Sequence, residues 1–115
     1  MGNPTKEDII LLFLEDPKKL AAKIWSGSIP KSNEIRTLIC ELENPECVCL
    51  YADYVDKSPH PDTRETACKD PICAYFYARD VDKSPHSDTR QAVQNDLHWK
   101  KEYEEWEKEC LLKKK

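Results

Sequence analysis

Residues 51–64 read YADYVDKSPHPDTR, and residues 77–90 read YARDVDKSPHSDTR. Eleven of the fourteen positions are identical when Tyr51 is set against Tyr77, an offset of 26. A period between about 20 and 50 residues points to stacked supersecondary units, so this duplication decides the fold. The match extends outward. Asn44-Pro45 pairs with Asp70-Pro71, Cys47 with Cys73, and Asp70 with Asp96. A more divergent copy opens at Asp16-Pro17, where ILLFLEDP (10–17) echoes LICELENP (38–45) at an offset of 28. Ile10, Leu11 and Leu14 thereby correspond to Leu38, Ile39 and Leu42.

Each unit reads as two helices around a proline-containing joint. Asp16, Asn44 and Asp70 stand where an N-cap belongs, each followed by Pro at the first helical position. A short polar side chain there accepts orphan amide protons, and Pro lacks the proton that would go unpaired. Val48, Tyr51, Ala52 and Val55 form one apolar stripe at i, i+3, i+4, i+7, repeated by Ala74, Tyr77, Ala78 and Val81. Ser58-Pro59 and Ser84-Pro85 are expected to end these helices, because Pro disfavours helix in the residue before it. A short second helix starts near Pro61 or Ser87. The expected architecture is an all-α, short right-handed solenoid in one domain. Residues 1–15 form a half-unit, 16–43, 44–69 and 70–96 form three repeats, and 97–115 form a long C-terminal helix.

That last segment has its own pattern. Trp99, Tyr103, Trp106 and Cys110 fall at steps of 4, 3 and 4. Such a seam either caps the last repeat or joins a second copy. Lys113, Lys114 and Lys115 suit the C-terminal end of the helix dipole.

Composition narrows the function. The chain has 115 residues, 22 acidic and 18 basic, for a net charge of -4. Two glycines leave little room for hairpin turns or a phosphate-cradling loop. No apolar run approaches the ~20 residues of a membrane span, and nothing resembles a signal peptide, so a cytoplasmic location is expected. Six cysteines in a reducing compartment read as buried thiols rather than a disulfide framework.

Metal and catalytic readings are weak. Cys47, Cys49, Cys68 and Cys73, with His60 and His86, offer soft ligands, and a small zinc protein is one alternative. But Cys47 and Cys49 point about 200° apart on a helix and do not chelate one ion easily. His60 stands two positions before Asp62, and His86 two before Asp88, yet the whole joint is copied, which favours structure over catalysis. No cofactor, metal site or enzymatic activity is expected. Asp56, Lys57, His60, Asp62 and Arg64, with Asp82, Lys83, His86, Asp88 and Arg90, read as a structural ladder. Lys57 or Arg64 is expected to meet Asp82 or Asp88 of the next unit. The interleaved carboxylates cancel the field of Lys57, Arg64, Lys83 and Arg90, which argues against direct nucleic-acid binding.

The units NPECVCLYADYVDKSPHPDTR and DPICAYFYARDVDKSPHSDTR resemble short tandem α-repeats of bacterial and phage proteins, of the form DPExAYxYAxxVxKG. The matching residues are Asn44, Pro45, Tyr51, Ala52, Val55 and Lys57, then Asp70, Pro71, Ala74, Tyr75, Tyr77, Ala78, Val81 and Lys83. Asp56 and Asp82 depart from the pattern, where an apolar residue is common. The resemblance implies a HEAT-like or leucine-rich-repeat-variant solenoid that binds another macromolecule. The narrower expectation is a small phage or mobile-element inhibitor of a host defence complex, anti-CRISPR-like. The alternative is an adaptor dimerising through its C-terminal helix. Candidate partner-binding residues are the off-stripe Tyr54, Tyr75 and Phe76, with Trp99, Tyr103 and Trp106; Trp25 is expected in the core. Tyrosine makes a good interface anchor because it brings area with little rotamer entropy.

Overall fold

The computed structural model describes residues 4–113. The first residues of the N-terminal half-unit, 1–3, and Lys114 and Lys115 of the terminal lysine run lie outside the described residues. Among those described, the chain is all-helical, with no strand. The helices are α1 (Lys6–Glu15), α2 (Pro17–Trp25), α3 (Asn33–Glu41), α4 (Pro45–Leu50), α5 (Pro61–Ala67), α6 (Pro71–Phe76), α7 (Ser87–Ala92) and α8 (Leu97–Lys113). α4 and α6 each run on without a break into a π-helical turn, at Tyr51–Asp56 and Tyr77–Asp82. The molecule is elongated, 49 × 28 × 20 Å. α2, α4, α6 and α8 pack in succession along its length, and α3 lies against α5.

Local chemistry sets the helix starts as the sequence leads one to expect. Asp16 accepts from the Lys18 amide, Asn44 from Cys47 and Asp70 from Cys73. Asp96 does the same for Trp99 at 3.2 Å. So α8 begins with the same cap as α6, one repeat further along the chain.

The helix ends differ from expectation. Lys57 and Lys83, not the Ser-Pro pairs, terminate the first helices, by entering the left-handed region at φ 55° and 57°. The reversal lets Ser84 N–H bond back to the Ala78 carbonyl. A Cβ makes that conformation costly, by roughly 1 kcal/mol, and glycine removes the cost. Lys83→Gly is therefore expected to raise the unfolding free energy by about 0.5–1 kcal/mol, read from the midpoint of urea denaturation at unchanged slope.

One tyrosine per joint locks each pair of helices to the next. The Tyr77 hydroxyl takes the His60 N–H at 3.0 Å, sits 3.1 Å from the His60 carbonyl and 2.6 Å from Thr63 Oγ1. Tyr103 repeats this at His86 and Thr89, with distances of 3.2, 3.3 and 2.7 Å. Tyr51 takes the Ser32 N–H and reaches the Pro30 and Ser32 carbonyls. All three rings are fully buried. Burial pushes their phenols upward, so each stays a protonated donor.

The apolar interior follows the stripes. Val48, Tyr51 and Ala52, and Ala74, Tyr77, Ala78 and Val81, are buried as the periodicity predicts. Ile9, Leu20, Ile24, Ile35 and Ile39 fill the N-terminal part, and Ala74, Tyr75, Val93 and Tyr103 the C-terminal part.

One expectation is corrected, and the sequence correspondence between α1 and α3 does not extend to burial. The buried face of α1 is Ile9, flanked by Leu12 and Phe13, whereas Leu11 and Leu14 are exposed. Among the described residues α1 packs mainly on α2, so it presents a different face from α3. Trp25 is 63% exposed rather than in the core. Ile24 takes the core position, and the indole of Trp25 meets Tyr54 edge-on at 6.5 Å.

Candidate functional site

The joints carry most of the polar chemistry. Arg64 grips Asp82 with a two-nitrogen fork, Nε at 3.0 and 3.2 Å and Nη2 at 2.7 Å, and the Asp82 side chain is wholly buried. That hydrogen bond holds the Arg64 guanidinium above its usual range. Arg36 meets Asp62 at 3.2 Å, and Arg90 pairs with Glu107. The expected ladder is thus made by the arginines. Lys57 and Lys83 take no joint ion pair among the described residues and act as left-handed helix ends instead. Asp62 and Asp88 each accept the next residue's amide, at Thr63 and Thr89.

The joint histidines sit close to hydroxyls. Ser58 Oγ is 3.4 Å from His60 Nε2, and Ser84 Oγ is 3.4 Å from His86 Nε2. Asp82 approaches the same nitrogen of His86, at 3.9 Å. A nucleophilic relay needs the hydroxyl and the carboxylate on opposite ring nitrogens. Here both face Nε2, so Asp82 does not orient the ring toward Ser84. Neither His60 nor Asp62 nor Asp88 lines the groove between α4 and α6.

Asp56 stands apart. It occupies the place that Asp82 holds in the next repeat, is only 3% exposed, and its Oδ2 has no hydrogen-bond partner. Its positional partner, Arg36, has turned to Asp62. Burial pushes the Asp56 carboxyl up, partly opposed by His60, Arg36 and Lys31. An acid raised on folding is penalised while ionised. The penalty is present at neutral pH and fades as pH falls through the raised value toward the ordinary 3.8. Asp56→Leu is accordingly expected to stabilise the fold at pH 7 by on the order of 1 kcal/mol. The advantage should shrink on acidification, a trend that thermal melts between neutral and acid pH will report.

The thiols between Cys40 and Cys68 are held in their protonated form. All six cysteines are free. Burial pushes Cys47, Cys49 and Cys68 up to about 12 and Cys40 to about 11, so little thiolate exists at neutral pH. Among the described residues no group of three or more His, Cys, Asp or Glu side chains is placed to hold a metal ion.

A groove of about 720 Å³ lies between α4 and α6 with their π-helical ends. Leu50, Tyr54, Ile72 and Phe76 give it apolar walls, and Cys49 and Cys73 line it too. Tyr54 and Ile72 are 44% and 40% exposed. Trp25 extends the apolar surface beyond Tyr54. Glu46, Asp53, Asp70 and Asp80 are its acidic lining, and Asn44 and Pro45 complete it.

Of the residues expected to contact a partner, the groove brings together Tyr54 and Phe76 alone. Tyr75 is buried, with its ring 5.5 Å from both Phe76 and Trp99 and 6.3 Å from Trp106. Tyr103 is fully buried, with its hydroxyl in the His86 joint. Trp99 and Trp106 pack on the same cluster. The expected seam of α8 therefore faces inward, because Trp99, Tyr103 and Trp106 must cover Tyr75 and Ala74. Sequence reasoning missed Ile72, Leu50 and Trp25. Ile72 was detectable, as a large apolar residue two positions off the Ala74 stripe. No protein-family model matches the chain, and no curated protein and no solved structure shows significant similarity to it.

Proposed function

We propose that this chain is a non-enzymatic protein-binding module built as a short α-solenoid. The observation that carries this reading is the groove between α4 and α6, where Tyr54 and Ile72 stand exposed beside Leu50 and Phe76. Stacked helix pairs expose one helix of each unit as a shared face, and such faces serve partners. The solenoid reading is supported by caps and tyrosine locks that recur once per repeat. Large aromatic and aliphatic side chains left in water at a concave surface are the usual anchors of protein recognition.

The narrower proposal, a phage or mobile-element inhibitor that binds a host defence complex, is supported by the repeat resemblance. The immobilised protein is expected to retain a specific protein from bacterial lysates, identified by mass spectrometry. Capture of nothing above an empty-resin control, from hosts that carry such defence complexes, would overturn the binding reading.

A further inference from the structure

We infer that the α4–α6 groove takes an amphipathic helical segment whose apolar side is flanked by lysine or arginine. This deepens the protein-binding reading above and rests on it. Three observations specify the occupant.

The first is charge. The groove lining holds Glu46, Asp53, Asp70 and Asp80 and no lysine or arginine. Two of these are already engaged. Asp70 Oδ2 accepts the Cys73 amide, and Asp80 is paired with Arg79 at 2.9 Å. The Arg79 guanidinium also lies over the Phe76 ring, 4.8 Å from its centroid. Glu46 and Asp53 have no ion-pair or hydrogen-bond partner among the described residues. Lys57 and Lys83 line an adjoining, smaller cavity that shares Asp53 and Asp80, so two lysines of this chain stand beyond that end of the groove. Burial and the neighbouring Asp80 both push the Asp53 carboxyl upward, opposed by Lys83 and Arg79. An incoming cation would relieve that repulsion, whereas an incoming carboxylate would add to it.

The second is backbone chemistry. α4, α6 and their π-helical ends satisfy their own amides and carbonyls, so no ladder edge is open to an added strand. Recognition must run through side chains, as when an amphipathic helix lies in a groove.

The third is shape. A cavity of about 720 Å³ with Leu50, Tyr54, Ile72 and Phe76 around it has room for a few large apolar side chains. One turn of helix presents such side chains at i, i+3 and i+4.

The test selects peptides from a displayed library of random sequences on the full-length protein, then measures synthetic copies by fluorescence anisotropy. The expected consensus joins Lys or Arg to Leu, Ile, Phe or Trp at helical spacing. Affinity should fall about tenfold or more for Ile72→Glu and for Glu46→Lys combined with Asp53→Lys. It should also weaken with added salt. Both variants are first checked for native circular dichroism; Ile72→Ser and Glu46→Lys alone serve where either fails to fold. An acidic or uncharged consensus, an unchanged affinity for folded variants, or no enrichment would each overturn the inference. So would light scattering that shows a dimer dispersed by Ile72→Glu, because the occupant would then be a second copy. The lysate capture, repeated with Ile72→Glu, separates the two levels. A partner still captured by that variant leaves protein binding intact and sinks the groove, whereas capture by neither protein sinks both.

Discussion

Arg64→Ala will destabilise the protein by about 3–5 kcal/mol at neutral pH, the cost of stranding a buried carboxylate. The Asp82 side chain has no solvent exposure, and both its oxygens are held by the Arg64 fork. Its other close polar neighbour is the partly exposed His86 ring, at 3.9 Å. Removing the arginine leaves Asp82 buried with that one distant contact. The effect must therefore depend on Asp82 itself. In an Asp82→Leu background, Arg64→Ala should cost no more than about 1 kcal/mol, because no buried charge is left behind. Equilibrium urea unfolding of the four proteins in this cycle gives the coupling directly. A loss as large in the Asp82→Leu background as in the parent chain would assign the cost to lost packing of the Arg64 stem instead.

The first joint supplies an internal control. Arg36 holds the place there that Arg64 holds in the next joint, but it meets the partly exposed Asp62 and leaves Asp56 unpaired. Arg36→Ala removes an ion pair to a partly exposed carboxylate, worth about 0–1 kcal/mol, together with part of the charge that offsets the buried Asp56. The same repeat position thus carries a strong interaction in one joint and a weak one in the other. Distance and burial, not residue type, separate them.

How far the sequence reached can be judged from these joints. Asx-Pro pairs predicted the starts of α2, α4 and α6, since an N-cap and a proline are local signals that packing cannot reverse. The duplicated VDKSPH-x-DTR segment announced a repeated joint geometry, and the Arg64–Asp82 pair lies within the expected ladder. The π-helical turns were not legible. An i to i+5 pattern turns the helix end so that the Asp56 and Asp82 side chains come inside, beyond the last apolar position of each stripe. Trp25 was misplaced for a different reason. Periodicity says which residues share a face, but not whether another helix covers that face. Tyr103 was available all along, because Tyr51, Tyr77 and Tyr103 follow one another at the repeat spacing. Reading α8 by its aromatic seam hid its place in the same series. The groove itself arises between helices, where no single stretch of sequence records it.

Tyr77→Phe tests whether that tyrosine series holds the fold together. The substitution keeps the buried ring and deletes one oxygen. That oxygen serves Thr63 Oγ1, the His60 amide and the His60 carbonyl at once. Phenylalanine leaves the His60 N–H without its partner in the joint, and Thr63 keeps only its bond to the His60 carbonyl. Unpairing a buried donor costs about 1–3 kcal/mol. The expected loss is about 2–3 kcal/mol, a fall of roughly 8–12 °C in melting temperature for a chain of this size. Tyr103→Phe should cost a similar amount, since Thr89 and His86 repeat the geometry. Tyr54→Phe, at an exposed hydroxyl, should cost within ~0.5 kcal/mol of nothing. Hydrogen exchange at the His60 amide reads the same event locally, and it should quicken in Tyr77→Phe more than at amides of α2. Equal stability of Tyr77→Phe and Tyr54→Phe would mean that stripe packing alone joins neighbouring helix pairs. A clear gap between them makes the phenol that recurs once per repeat the element that fixes how one pair meets the next, and so the spacing of α4 and α6 that opens the groove.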